Sequence, residues 1–162
     1  MSSPLTHRKW REARYFLNAL SVLDGDPNLG KADEFGFLTS AFLTAARSVV
    51  DVAIQEERAA FTRVFESWKS SLDAEMRAIH EFVGARRNRT VHFGEESSQQ
   101  STEARPALHV LSASVAPWAY DEDATIDVSI YSIQLDGNAR PAREVFARYL
   151  NSLAEFVAAL SA

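Results

Sequence analysis

Apolar side chains recur every three or four residues along most of this chain, and that spacing restricts it largely to helices. From Leu5 to Leu23 the series is Trp10, Ala13, Phe16, Leu17, Leu20 and Leu23, one side of an amphipathic helix. Asp24-Gly25-Asp26-Pro27-Asn28 ends it. A second helix is expected to begin at Asp33, a residue suited to the N-cap, with Glu34 favourably placed against the helix dipole. Its Phe35, Leu38, Phe42, Ala45, Val49 and Val52 make a seam for packing helix on helix. The opposite stripe is Ser40, Thr44, Arg47, Ser48, Asp51 and Gln55. It reads either as a solvated face or as a polar crevice lined by Arg47 and Ser48.

A third helical region runs from about Glu57 to His92 through Phe61, Val64, Phe65, Trp68, Leu72, Met76, Ile79 and Val83. Ser70 followed by Asp73 resembles a capping signal, so a break is expected near Ser70 or Ser71. Gly94 supplies a stop after His92. The last helix follows Pro141, which fits a first turn, and carries Ala142, Val145, Phe146, Tyr149, Leu153, Phe156, Val157 and Leu160 on one stripe.

Between these helices the period changes. Residues 95–106, EESSQQSTEARP, read as a flexible loop. Leu108 to Val115 is a weak strand candidate. A better one has Ile126, Val128 and Ile130 alternating with Asp127, Ser129 and Tyr131, and Asp136-Gly137 then turns the chain. The expected fold is mainly all-α: one domain over residues 1–162, an antiparallel bundle of four or five helices, with a small β-hairpin insertion at about 95–137 before the last helix.

The 46% hydrophobic content and 10% aromatic content are those of a globular chain. The absence of cysteine excludes disulfides, thiolate metal sites and cysteine nucleophiles. Met1 to Trp10 contain no apolar run of a secretory signal, and Phe35 to Ile54 are interrupted by Arg47 and Asp51, unlike a membrane span. A cytoplasmic protein with no membrane partner is expected. The net charge of −5 argues against a general nucleic-acid coat. Locally, no acid falls between Glu81 and Glu95, whereas Arg86, Arg87, Arg89 and His92 do, so the acidic chain holds one basic island.

Within that island, RNRTVH at residues 87–92 gathers a guanidinium, an amide and an imidazole. Together these groups can hold a phosphodiester, orient a hydroxyl and move a proton near neutral pH. On a helix, Asn88 and His92 lie four apart on one face, and the long Arg87 side chain can swing to the same point. The negative end of the helix dipole repels a phosphate there, so Arg87 must more than offset it, but the same end raises the proton affinity of His92. Arginine and histidine in a last turn also stabilise a helix without any further role. Arg86 and Arg89, with Arg47 and Ser48, are secondary candidates for binding contacts at the same place. His7, His80 and His109 read as structural or surface residues. No His/Asp/Glu spacing suggests a metal, no glycine-rich phosphate loop or Gly-x-Ser-x-Gly elbow is present, and no cofactor is expected.

An Arg-Asn-x-x-x-His at the end of a central bundle helix resembles the HEPN superfamily. Arg87, Asn88 and His92 carry the match. FLTSAFLTAARSVVDVAI (37–54) and EMRAIHEFVGARRNRTVH (75–92) look like its two core helices. The resemblance runs from about residue 5 to 94 and, more weakly, over the last helix. It implies a homodimer whose motif helices meet and, in many members, a metal-independent endoribonuclease of toxin or defence systems, with an antitoxin or regulatory protein as a partner. Carried over, His92 would activate the ribose 2′-hydroxyl or protonate the leaving oxygen. Arg87 would stabilise the charge of the phosphorane-like state, and Asn88 would orient the scissile group or its partner histidine. Attack by a 2′-hydroxyl restricts the substrate to RNA. The chain departs from members silenced by nucleotide transfer, which carry a tyrosine two residues after the histidine. Gly94 stands there.

Two other functions compete. One is a non-catalytic dimerisation module that binds RNA or protein through the same island. The other is a small-molecule pocket lined by aromatics such as Trp68 and Phe42, stripes that ordinarily form core.

Overall fold

The computed structural model describes residues 4–26, 31–56, 58–93, 99–106, 125–135 and 137–161; for 86–93, 99, 105, 106, 125 and 126 it describes the backbone. These residues form helices α1 (Pro4–Leu23), α2 (Ala32–Glu56), α3 (Arg58–Ser71), α4 (Ala74–Phe93) and α5 (Ala142–Leu160), and strands β1 (Gln99–Pro106), β2 (Thr125–Leu135) and β3 (Asn138–Pro141). The protein is mainly helical, a bundle with one small antiparallel sheet in the order β1-β2-β3.

α1 and α2 run antiparallel. The Thr6 hydroxyl near the start of α1 donates to Glu56 at the end of α2, at 3.3 Å, and Gly25 turns the chain between them with φ of 85°, a value only glycine adopts without strain. The turn is also tied to the sheet: Gly25 N–H donates to the Ser129 carbonyl at 2.8 Å, and Ser129 N–H donates to the Asp26 carbonyl at 3.0 Å. α2 buries Phe35, Thr39, Phe42, Leu43, Ala45, Ala46, Val49, Val50 and Ala53. Its 25 residues are long and apolar enough to cross a membrane, but the apolar side is taken up by the core.

α5 closes the bundle. Phe146 meets Phe42 at 4.7 Å between ring centres, and Phe156 packs against Phe61, Phe65 and Trp68 of α3. Two indoles pin α5 by their N–H groups, Trp10 to the Leu150 carbonyl at 3.2 Å and Trp68 to the Ser152 carbonyl at 2.9 Å. A buried indole N–H left unbonded costs stability, so these bonds fix how the helices lie on one another.

Several local expectations need correction. α2 starts at Ala32, with Asp33 inside its first turn rather than capping it. The break between α3 and α4 falls where expected, but the cap is Asp73, whose Oδ1 accepts the Met76 N–H at 2.7 Å. The Ser70 hydroxyl instead donates back to the Glu66 carbonyl. The largest difference lies at residues 99–106. They form β1, paired from Gln99↔Ser132 to Pro106↔Thr125, where a loop was expected. Residues 100–104 are exposed, so the strand is held by its ladder to β2 and leaves no apolar alternation to read. The strand expected at Leu108–Val115 lies outside the described residues. β2 extends beyond the expected run to Leu135, and it turns Tyr131, Ile133 and Leu135 into the core. Its hairpin partner is β3, across the turn at Gly137 with φ of 78°.

Candidate functional site

α4 stays helical to Phe93, so Arg87, Asn88 and His92 occupy its last two turns. Their side chains, with those of Arg86 and Arg89, lie outside the described residues, as does Gly94. What the backbone does establish is register. His80, Gly84, Asn88 and His92 follow one another at intervals of four along a single ridge of α4, each step about 6 Å along the axis. The first half of that ridge is described in full and shows what α4 rests on before it reaches the motif.

His80 is at the inner end, 8% exposed. Its Nδ1 is hydrogen-bonded to the Tyr149 hydroxyl at 2.9 Å, and its ring meets Trp68 edge-on at 5.3 Å. Burial, reinforced by the Arg47 and Lys69 charges, pushes its pKa down to about 4. The Tyr149 hydroxyl, fully buried, is driven well above the ordinary phenol range by the same loss of solvent. His80 is therefore a neutral core imidazole, as its structural reading anticipated.

Gly84 is the next step. A Cβ built there would stand 3.8 Å from Nη1 of Arg47, so α2 brings the Arg47 guanidinium against α4 one turn before Asn88. Arg47 is half-buried, its Nε 3.2 Å from Asp51 Oδ1. The ion pair occupies one edge of the guanidinium, and the Nη1 edge faces α4. At 3.8 Å a Cβ at Gly84 would make an ordinary van der Waals contact, so an alanine would fit there as well.

The structure thus brings one secondary candidate, Arg47, to the ridge that bears the motif. It does not bring Ser48, whose hydroxyl is spent on the Thr44 carbonyl of its own helix at 2.8 Å. The polar stripe of α2 is half-buried at Ser40, Thr44, Arg47, Ser48 and Asp51 and exposed at Gln55. Two participants escaped sequence reasoning. Tyr149 was visible only as one of an apolar stripe. Gly84, a glycine inside a helical period, was the available signal for a close approach.

Away from the motif, the start of α4 is clamped by charge. Glu75 accepts from Arg140 of β3 at 2.5 Å and from Arg148 of α5 at 2.6 Å, and the Arg148 bond holds the Glu75 carboxyl below its usual range. Among the described residues no three His, Asp or Glu side chains converge as metal ligands do. No family model, no curated protein and no solved structure matches the chain.

Proposed function

We propose that this chain is a metal-independent endoribonuclease of the HEPN type, acting as a homodimer in the cytoplasm. The observation that carries the reading is the ridge of α4. A helix uninterrupted to Phe93 sets Asn88 and His92 one turn apart, and Arg47 lies against the same ridge one turn earlier. Three groups of the right chemistry thereby share one end of one helix, with an additional cation alongside.

In the proposed reaction His92 takes the proton of a ribose 2′-hydroxyl. The 2′-oxygen forms a bond to the adjacent phosphorus, and the bond from phosphorus to the 5′-oxygen breaks. The products are a 2′,3′-cyclic phosphate and a 5′-hydroxyl, the leaving oxygen taking up a proton from an imidazolium. Arg87 carries the charge that builds on the phosphoryl oxygens, and Asn88 orients the scissile linkage. The nucleophile belongs to the substrate, so DNA and 2′-O-methyl RNA are not cleaved. A toxin or defence setting, with an antitoxin or other regulatory protein, fits a nuclease of this kind.

The test is cleavage of single-stranded RNA in excess chelator, with analysis of the product ends. Cyclic phosphate termini are expected, with loss of about 100-fold or more in rate in His92→Ala and in Arg87→Ala. Full cleavage by both variants would remove the assignment, and binding without turnover by the native chain would favour the non-catalytic module.

A further inference from the structure

The outer side of α1 presents a second cluster of cations, which the expectation of a single basic island overlooked. α1 turns Thr6, Ala13, Leu17, Leu20 and Leu23 into the core. On the other side Arg8, Arg11, Arg14 and Tyr15 are exposed, Tyr15 at 69%. At about 100° per residue these four positions fall within roughly one third of the helix circumference. Glu12, the one carboxylate of α1, borders that sector one turn from Arg8 and is engaged by Lys9 at 2.8 Å. Among the described residues none of the three arginines forms a salt bridge. Arg14 stacks over the Trp10 ring at 5.3 Å, which steadies the guanidinium while leaving its N–H donors available.

Folding alone does not call for this arrangement. The first turn of a helix favours acids, and α1 has none there. The surrounding chain is acidic, with a net charge of −5, so a one-signed positive stripe stands against the average. Tyr15 adds an aromatic face beside the arginines, braced from below by Phe16 at 5.5 Å, edge-on.

We infer that this face of α1 binds the backbone of a single-stranded RNA, with Arg8, Arg11 and Arg14 on successive phosphates and Tyr15 stacked on a base. Arg8 to Arg14 spans about 9 Å along the axis. Interleaved cations and aromatics are how proteins track single strands without reading sequence. An anionic membrane fits less well: an interfacial helix must offer its apolar side to lipid, and that side of α1 is buried against the bundle. The assignment to RNA rests on the ribonuclease reading, whereas the polyanion-binding surface does not.

The experiment measures binding of the native full-length chain to a fluorescent single-stranded 2′-O-methyl oligoribonucleotide by anisotropy across a salt series. This probe cannot be cleaved, so the result does not depend on turnover. Arg11→Gln combined with Arg14→Gln is expected to weaken binding at least tenfold and to reduce the slope of log K against log salt by about 1.4, two lost phosphate contacts at roughly 0.7 each. Tyr15→Ala is expected to weaken binding about tenfold with the slope kept. Unchanged affinity and slope in the double arginine variant, with circular dichroism showing it folded, would overturn the inference. So would vesicles of anionic phospholipid, or an acidic polypeptide, binding in an arginine-dependent way while the RNA probe does not. If the arginine effect appears but the native chain never cleaves RNA, the ribonuclease reading fails and the binding surface stands. If cleavage is intact and the arginine effect absent, the reverse holds.

Discussion

At the scale of single residues, the histidine that governs stability is distinct from the one assigned to chemistry. His80 is buried among Trp68, Phe65 and Tyr149, and its pKa falls from 6.5 to about 4, chiefly through burial. The unfolded chain therefore binds more protons than the folded one between those values, and stability falls as pH drops from 6.5 toward 4. At pH 5 the loss from this one group is about 2 kcal/mol. Urea denaturation at pH 7 and pH 5 should show that loss in the native chain. His80→Asn should be less stable at pH 7, because Tyr149 loses its partner, yet vary less between the two pH values. An equal pH dependence in both would show that other groups carry it.

At the scale of elements, capping decides where α4 begins, and its start fixes the register of everything it bears. Asp73→Ala removes the acceptor for the Met76 N–H and should lower stability by about 1 kcal/mol. The melting temperature of the variant checks this; Ser70→Ala, whose hydroxyl caps nothing in α4, should leave it nearly unchanged. The helices were legible because apolar residues repeat at the helical period: the Trp10 to Leu23 series of α1 and the Val145 to Leu160 series of α5 both mark sides that face the core. β1 was not, because exposed residues such as Ser101 and Thr102 pack against nothing, and a backbone ladder writes no side-chain pattern. The meeting of Arg47 with Gly84 was legible only in part. Periodicity tells which side of a helix is buried but not where two helices cross. The arginines of α1 were missed because Lys9, Trp10, Glu12 and Ala13 separate them in sequence, whereas the helical screw gathers them on one side. The ridge through Asn88 and His92 follows from their spacing and from the described helical backbone of α4.

At the scale of the whole molecule, the proposal requires two chains to build one reactive centre, and this can be tested without observing the dimer directly. If the ends of two α4 helices meet in one cleft, one Arg87 and one His92 from either subunit suffice for a cleavage event. Arg87→Ala and His92→Ala homodimers each lack one kind of group entirely. Mixed and allowed to exchange subunits, they form heterodimers in which one chain supplies His92 and the other Arg87. Such a dimer keeps one complete set in the shared cleft. Cleavage by the mixture should therefore exceed that of either variant alone by about tenfold or more, given the 100-fold losses expected of each. It should rise with time as subunits exchange, and it should disappear when both substitutions are placed in the same chain and mixed with neither. Were each centre built within one chain, no heterodimer would hold an intact set and mixing would restore nothing. The Glu75 clamp with Arg140 and Arg148 ties the base of α4 to β3 and α5. In the proposed dimer the helix would therefore meet its partner as part of a packed bundle, and the two halves of the centre would stay in register when chains are exchanged.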